Sequence, residues 1–141
     1  MTLATAARTP GAKRASSGEH HFELANINQI KGGPGYSTAT GACVEGDRMM
    51  VALMRVPAGT GAEPHSHPNE QWIFILEGTF KANVGGKEIT ASPGSVLYIP
   101  SNLVHSGKAT PEADVLFFTV KDTSHSLHGI KAGSTEQLSS P

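Results

Sequence analysis

The stretch AEPHSHPNEQWIFILEGTF, residues 62–80, decides how the chain is read. His65 and His67 stand at i and i+2, Glu70 and Gln71 follow, and an apolar run then ends at Gly78. On an extended strand, side chains two apart project to the same face. Both imidazoles would therefore enter one space, and neutral imidazole is the commonest protein ligand for transition metals. A metal site needs at least a third donor, and Glu70, Gln71 and the later His105 offer one.

Around this stretch, turn residues separate short apolar runs. The 16 glycines and 9 prolines fall between candidate strands at 49–56, 71–76, 79–84, 87–91, 95–99 and 115–120, with a weaker one at 22–27. No long segment has a 3.6-residue hydrophobic period, so a sandwich or barrel is expected. Gly85 and Gly86 sit between two strand-like runs, the place of a two-residue hairpin loop. Pro93 and Gly94 read as a tight turn. These elements suggest an antiparallel meander from about 70 to 100.

The bulk numbers exclude several function classes. A chain of 141 residues fits one domain with one core. Its 11 basic and 12 acidic residues, a net charge of -1, argue against a nucleic-acid surface. No apolar run approaches the ~18 residues that cross a bilayer. The lone Cys43 cannot form an internal disulfide and reads as a small buried hydrophobe; with no secretory leader visible, a cytoplasmic setting is expected. Residues 1–20 read as a disordered or loosely docked arm, because Pro10 and Gly11 interrupt any amphipathic targeting helix. Residues 21–121 form the expected domain, and 122–141 a polar tail.

The central stretch resembles the first signature of the cupins: a glycine, five residues, H-x-H, three or four residues, an acidic residue or Gln, six residues and a glycine. Gly59, His65, His67, Gln71 and Gly78 fit it. The second signature, a glycine, five residues, P-x-G, two residues and a histidine, is matched by Gly94, Pro100 and His105. Asn102 replaces the usual glycine, a mild departure because Asn tolerates a left-handed backbone, and Ala109 replaces a trailing Asn.

The resemblance covers about residues 48–121. It implies an all-β, double-stranded β-helix (jelly-roll) barrel in a single cupin domain. It also implies one divalent transition metal (Mn, Fe, Ni or Zn) held by His65, His67, Gln71 and His105. The substrate class is a weaker inference, since this fold hosts many activities.

Glu70 and Gln71 are neighbours on a strand, so only one faces inward. With Gln71 inward, Ile73 and Ile75 follow it, and Trp72, Phe74 and Leu76 face out; with Glu70 inward, the sets exchange. Both faces are apolar, and the count to Gly78 favours Gln71. An outward Trp72, Phe74 and Leu76 would need cover, which suggests a homodimer. A glutamine leaves the ligand set neutral and the metal a stronger Lewis acid.

The other singled-out residues have blander readings. His20, His21, His125 and His128 fall in polar tails and read as exposed. Met49, Met50 and Met54 read as core filler, and Tyr98 either lines the pocket or packs elsewhere.

Three functions follow in order. The first is a metal-dependent lyase- or isomerase-like enzyme acting on a small oxygenated substrate by elimination, isomerisation or C–C cleavage, its catalytic proton carrier unidentified. The second is an iron-dependent dioxygenase, and the third a non-catalytic ligand- or metal-binding module. None uses a nucleic-acid or membrane partner.

Overall fold

The computed structural model describes residues 7–133. Twelve strands run in the order β1 (Lys13–Arg14), β2 (Ile30–Lys31), β3 (Thr40–Glu45), β4 (Met49–Val56), β5 (Gly61–Ser66), β6 (Gln71–Glu77), β7 (Phe80–Val84), β8 (Lys87–Ala91), β9 (Val96–Ile99), β10 (His105–Ala109), β11 (Val115–Asp122) and β12 (Ile130–Lys131). They form two sheets. One is ordered β1-β3-β4-β11-β6-β9 with β2 beside β3, and the other β12-β5-β10-β7-β8. The facing inner surfaces make the core, in which Cys43, Met50, Met54, Ile75, Ile99 and Val115 are nearly inaccessible.

Period-two alternation sets which residues enter that core. On β4, Met50, Ala52, Met54 and Val56 are buried, while Met49 is exposed rather than core filler. On β6, Gln71, Ile73 and Ile75 point in and Trp72, Phe74 and Leu76 point out. On β11, Val115, Phe117, Thr119 and Lys121 all face inward.

The expected meander from 70 to 100 is not formed. β6 pairs with β11 and β9, whereas β7 pairs with β8 and β10 in the other sheet. Within that stretch, β7 and β8 make the one hairpin, closed by Gly85 and Gly86 at φ 60° and 90°, the geometry of a type I′ turn. At Gly78 the chain leaves one sheet for the other, with φ 81°. At residues 92–95 it crosses back through a turn closed by Ser95 N–H donating to the Ser92 carbonyl at 3.0 Å. Sequence neighbours thus part company because two layers stacked face to face bury their inner apolar faces against each other, which one flat meander cannot.

Besides the two-residue strands β1, β2 and β12, three longer strands escaped the pattern reading: β3, β5 and β10. β5 (GAEPHS) and β10 (HSGKA) carry histidines and small residues at inward positions, so they have no hydrophobic alternation. Residues 22–27 contain a short 3-10 turn, Leu24–Asn26, rather than a strand.

The stretch expected as a loose arm is docked from Thr9 onward. The buried Glu45 carboxylate accepts the backbone N–H groups of Arg8 (2.7 Å) and Thr9 (2.9 Å). Thr9 Oγ1 in turn accepts the Leu127 N–H at 2.7 Å. Of residues 122–141, those from 123 to 129 form a loop in which Leu127 is buried in the core, and those beyond 133 lie outside the described residues. Among the described residues, no helix is long and apolar enough to cross a membrane.

Candidate metal centre

β5 and β10 are antiparallel partners with His65 opposite His105, so two sequence-distant imidazoles meet by strand register alone. His67 follows at the end of β5. The three rings lie with centroids 4.2 Å (His65–His105), 4.9 Å (His67–His105) and 6.2 Å (His65–His67) apart. Their donor nitrogens all fall within 4.8 Å of one another, and all three side chains are buried.

Each imidazole is oriented by a backbone carbonyl two residues away. Nδ1–H donates to the Glu63 carbonyl from His65 (2.7 Å), to Asn69 from His67 (2.8 Å) and to Leu103 from His105 (2.9 Å). These partners assign the tautomer, leaving Nε2 of each ring as a lone-pair donor. Asn69, fully buried, is itself anchored: its side-chain amide donates to the carbonyls of Asp122, His125 and Ser126. Tyr36 stacks on His65 at 4.4 Å between ring centroids, and its hydroxyl accepts the Gly129 N–H.

Gln71 faces inward at the end of β6, and Glu70 is exposed, accepting a hydrogen bond from the Tyr98 hydroxyl. Tyr98 therefore packs outside, against Trp72, and does not line the cavity. The Gln71 amide has a defined orientation. Its Nε2 donates to Thr119 Oγ1 (2.9 Å), whose hydroxyl donates to the Trp72 carbonyl (2.8 Å). Gln71 Oε1 is thereby turned to within 3.0 Å of His67 Nε2. With His67 Nδ1 already donating, two acceptors face each other.

Beside them, His105 Nε2 is buried with no hydrogen-bond partner. Three clustered imidazole lone pairs with an amide oxygen beside one of them are a donor set suited to a cation of the transition series. The residues fit a metal ion, and the His65–His67–His105 group is positioned to hold one.

Burial is the leading cause holding the three imidazoles below their ordinary pKa. His65 and His67 are lowered to about 3 and His105 to about 4, with Lys121 and neighbouring His105 adding electrostatic repulsion. They are neutral at pH 7, the form that binds metal. Lys121, at the inner end of β11 and opposite Gln71, is lowered by burial to about 7; its Nζ donates to the Leu127 carbonyl at 2.6 Å.

The pH dependence of stability follows with a definite sign. An unfolded histidine takes up a proton near 6.5, but these folded ones do so only near 3–4. The unfolded chain therefore binds more protons across that window, and stability falls as pH falls through it. Lys121 acts with the same sign between about 7 and 10.5. Chelator-treated protein is expected to melt several degrees lower at pH 5 than at pH 7, as read by calorimetry; a flat profile over that interval contradicts the buried neutral assignment.

The cavity lined by His65, Gln71 and His105 holds about 80 Å³, room for roughly three waters or one small molecule. Its walls include Ile73, Leu97, Phe117 and Leu127. Of the sequence-derived candidates, His65, His67, Gln71 and His105 come together here. His128 lies apart, with Nε2 against the Lys31 carbonyl. Thr119, Lys121, Asn69 and Tyr36 were not foreseen. Extending the period-two count of 115–120 by one residue would have shown Lys121 facing in.

The family model for the cupin domain matches residues 52–121, which carry His65, His67, Gln71 and His105. This stretch is a cupin domain.

The fold agrees with solved cupin-type structures. The polyketide cyclase RemF from Streptomyces resistomycificus is 21% identical, with a TM-score of 0.67 over 84% of this chain and 88% of that one. KdgF from Halomonas sp. is 20% identical, with a TM-score of 0.62 over 73% of this chain and 94% of that one. A predicted oxalate decarboxylase from Thermotoga maritima is 21% identical, with a TM-score of 0.63 over 73% and 98%. Among curated proteins, the bifunctional lysine-specific demethylase and histidyl-hydroxylase NO66 of Branchiostoma floridae is 32% identical over 77 residues, 52% of this chain. The cupin chain spans only 13% of that protein's length.

Proposed function

We propose that this cupin is a metal-dependent enzyme acting on a small oxygenated organic molecule, its metal held by His65, His67, His105 and Gln71. The observation that carries the reading is the close approach of two acceptors, His67 Nε2 and Gln71 Oε1, beside the unpartnered Nε2 of His105. A divalent Mn, Fe, Ni or Zn ion bound there would supply Lewis acidity toward hydroxyl or carbonyl oxygens, the chemistry of elimination, isomerisation or C–C cleavage. The carbonyls of Glu63, Asn69 and Leu103 hold the rings in place, and Thr119 holds the amide with its oxygen inward. Ile73, Leu97 and Phe117 exclude water and enclose the apolar part of a small substrate. That structures of the same fold include a polyketide cyclase and a predicted oxalate decarboxylase supports an enzyme for small oxygenated compounds.

A second reading, oxygen-dependent chemistry on iron, is favoured by the sequence similarity to a protein named a histidyl-hydroxylase. One experiment separates the two. Protein purified without added metal is subjected to elemental analysis, and the same sample to oxygen uptake with candidate hydroxy and keto compounds. About one metal per chain with turnover that survives replacement by zinc supports the Lewis-acid reading. Iron with oxygen consumption abolished by zinc supports the second. Protein that takes up no divalent metal at all refutes both.

The reading includes a homodimer. Trp72, Phe74 and Leu76 on β6 and Val96 and Tyr98 on β9 are each 40–51% exposed and share the outer face of the larger sheet. A second copy of that face, related by a two-fold axis, is the self-complementary cover. Sedimentation is expected to show a dimer for the parent chain and a monomer for Phe74→Glu; a monomeric parent rejects the homodimer.

A further inference from the structure

Lys121 is 5% exposed, yet among the described residues no carboxylate pairs with it. Among the described residues, its amine has one hydrogen-bond acceptor, the Leu127 carbonyl, for three donors. The nearby acids are occupied elsewhere. Asp122, next in sequence, faces the other side of β11 and accepts the backbone N–H groups of Glu70 and Ser124. Glu45 accepts those of Arg8 and Thr9. Among the described residues, no Asp or Glu lines the cavity that Lys121 shares with His65, Gln71 and His105. The ligand set is itself neutral, and the lysine amine feels the charge of Asp122 across β11 without a carboxylate in direct contact. Buried charge without a partner is costly, and it is relieved by an opposite charge.

We propose that this cavity binds a small organic carboxylate, one oxygen of which accepts a hydrogen bond from Lys121 Nζ while the apolar remainder packs against Ile73, Leu97 and Phe117. The inference deepens the enzyme reading above and rests on it for the metal, but the lysine contact stands in the metal-free protein too. The cavity volume of about 80 Å³ limits the ligand to a few heavy atoms beyond its carboxylate. Lys121 is a specificity-determining residue in this account. Its Leu127 contact sets the direction of the amine, and the empty donor positions select an anion over a neutral isostere. A charge-assisted hydrogen bond of this kind corresponds to a preference of about tenfold or more.

The test uses the full chain, both metal-loaded and chelator-treated, with 2-hydroxyisobutyrate and its amide as probes in titration calorimetry. The parent protein is expected to prefer the acid over the amide. Lys121→Gln keeps a donor for the Leu127 carbonyl but no charge, and it is expected to lose about tenfold or more of that preference in both forms. Lys121→Met, which removes the polar group altogether, serves if the Gln variant does not fold. Metal content and melting temperature are measured on every sample. Equal binding of acid and amide by the parent, binding of neither, or a preference unchanged in the lysine variants overturns the inference. A lysine-dependent preference in protein that takes up no metal refutes the metal reading and leaves this one standing. Full metal content with no lysine dependence does the reverse.

Discussion

Replacing His105 by alanine is expected to empty the metal centre, lowering affinity more than the ~10–100-fold that outer partners typically contribute. His105 Nε2 is buried without a hydrogen-bond partner, and the ring is aimed by its Nδ1–H bond to the Leu103 carbonyl. Alanine removes that donor but not the strand, because β10 pairs with β5 and β7 through its backbone. The variant should therefore fold, with a circular dichroism spectrum like the parent's, and carry little metal by elemental analysis. Thr119→Val provides the graded comparison. It frees the Gln71 amide, so metal affinity should fall by about 10–100-fold, less than for His105→Ala. Full metal occupancy in the His105 variant would end the ligand assignment.

Replacing Gly78 by alanine is expected to lower stability by roughly 2–4 kcal/mol, a loss of about 10 °C in melting temperature. Two independent costs combine there. The residue has φ 81°, in the left-handed region where an ordinary side chain costs about 1–2 kcal/mol. An added Cβ would also lie 2.2 Å from the Asp114 carbonyl oxygen, so the start of β11 must move. Because β11 carries Thr119 and Lys121, the displacement reaches the cavity. A melting temperature within two or three degrees of the parent would show that the crossing between sheets tolerates a side chain.

Local chemistry made much of this molecule readable from the chain. Gly85-Gly86 marked its hairpin, Pro93-Gly94 its turn, and alternation marked β4, β6, β8, β9 and β11 closely. Asn102, standing where a glycine is usual, takes φ 64°, in keeping with the left-handed tolerance expected of it. The H-x-H spacing set His65 and His67 toward one face, the resemblance to the cupin signatures added His105, and the three rings do come together.

Partnership between distant strands lay beyond that reach. Nothing near Gln71 in sequence says that its amide will be turned by Thr119, or that Lys121 will stand opposite it across β6 and β11. Nothing in GAEPHS or HSGKA announces a strand, because their inward positions hold ligands and small residues instead of apolar ones. Spacing encodes which way a side chain points, but only closure of the two layers determines what it meets. The cavity, with its neutral imidazoles and one buried lysine, is a product of that closure.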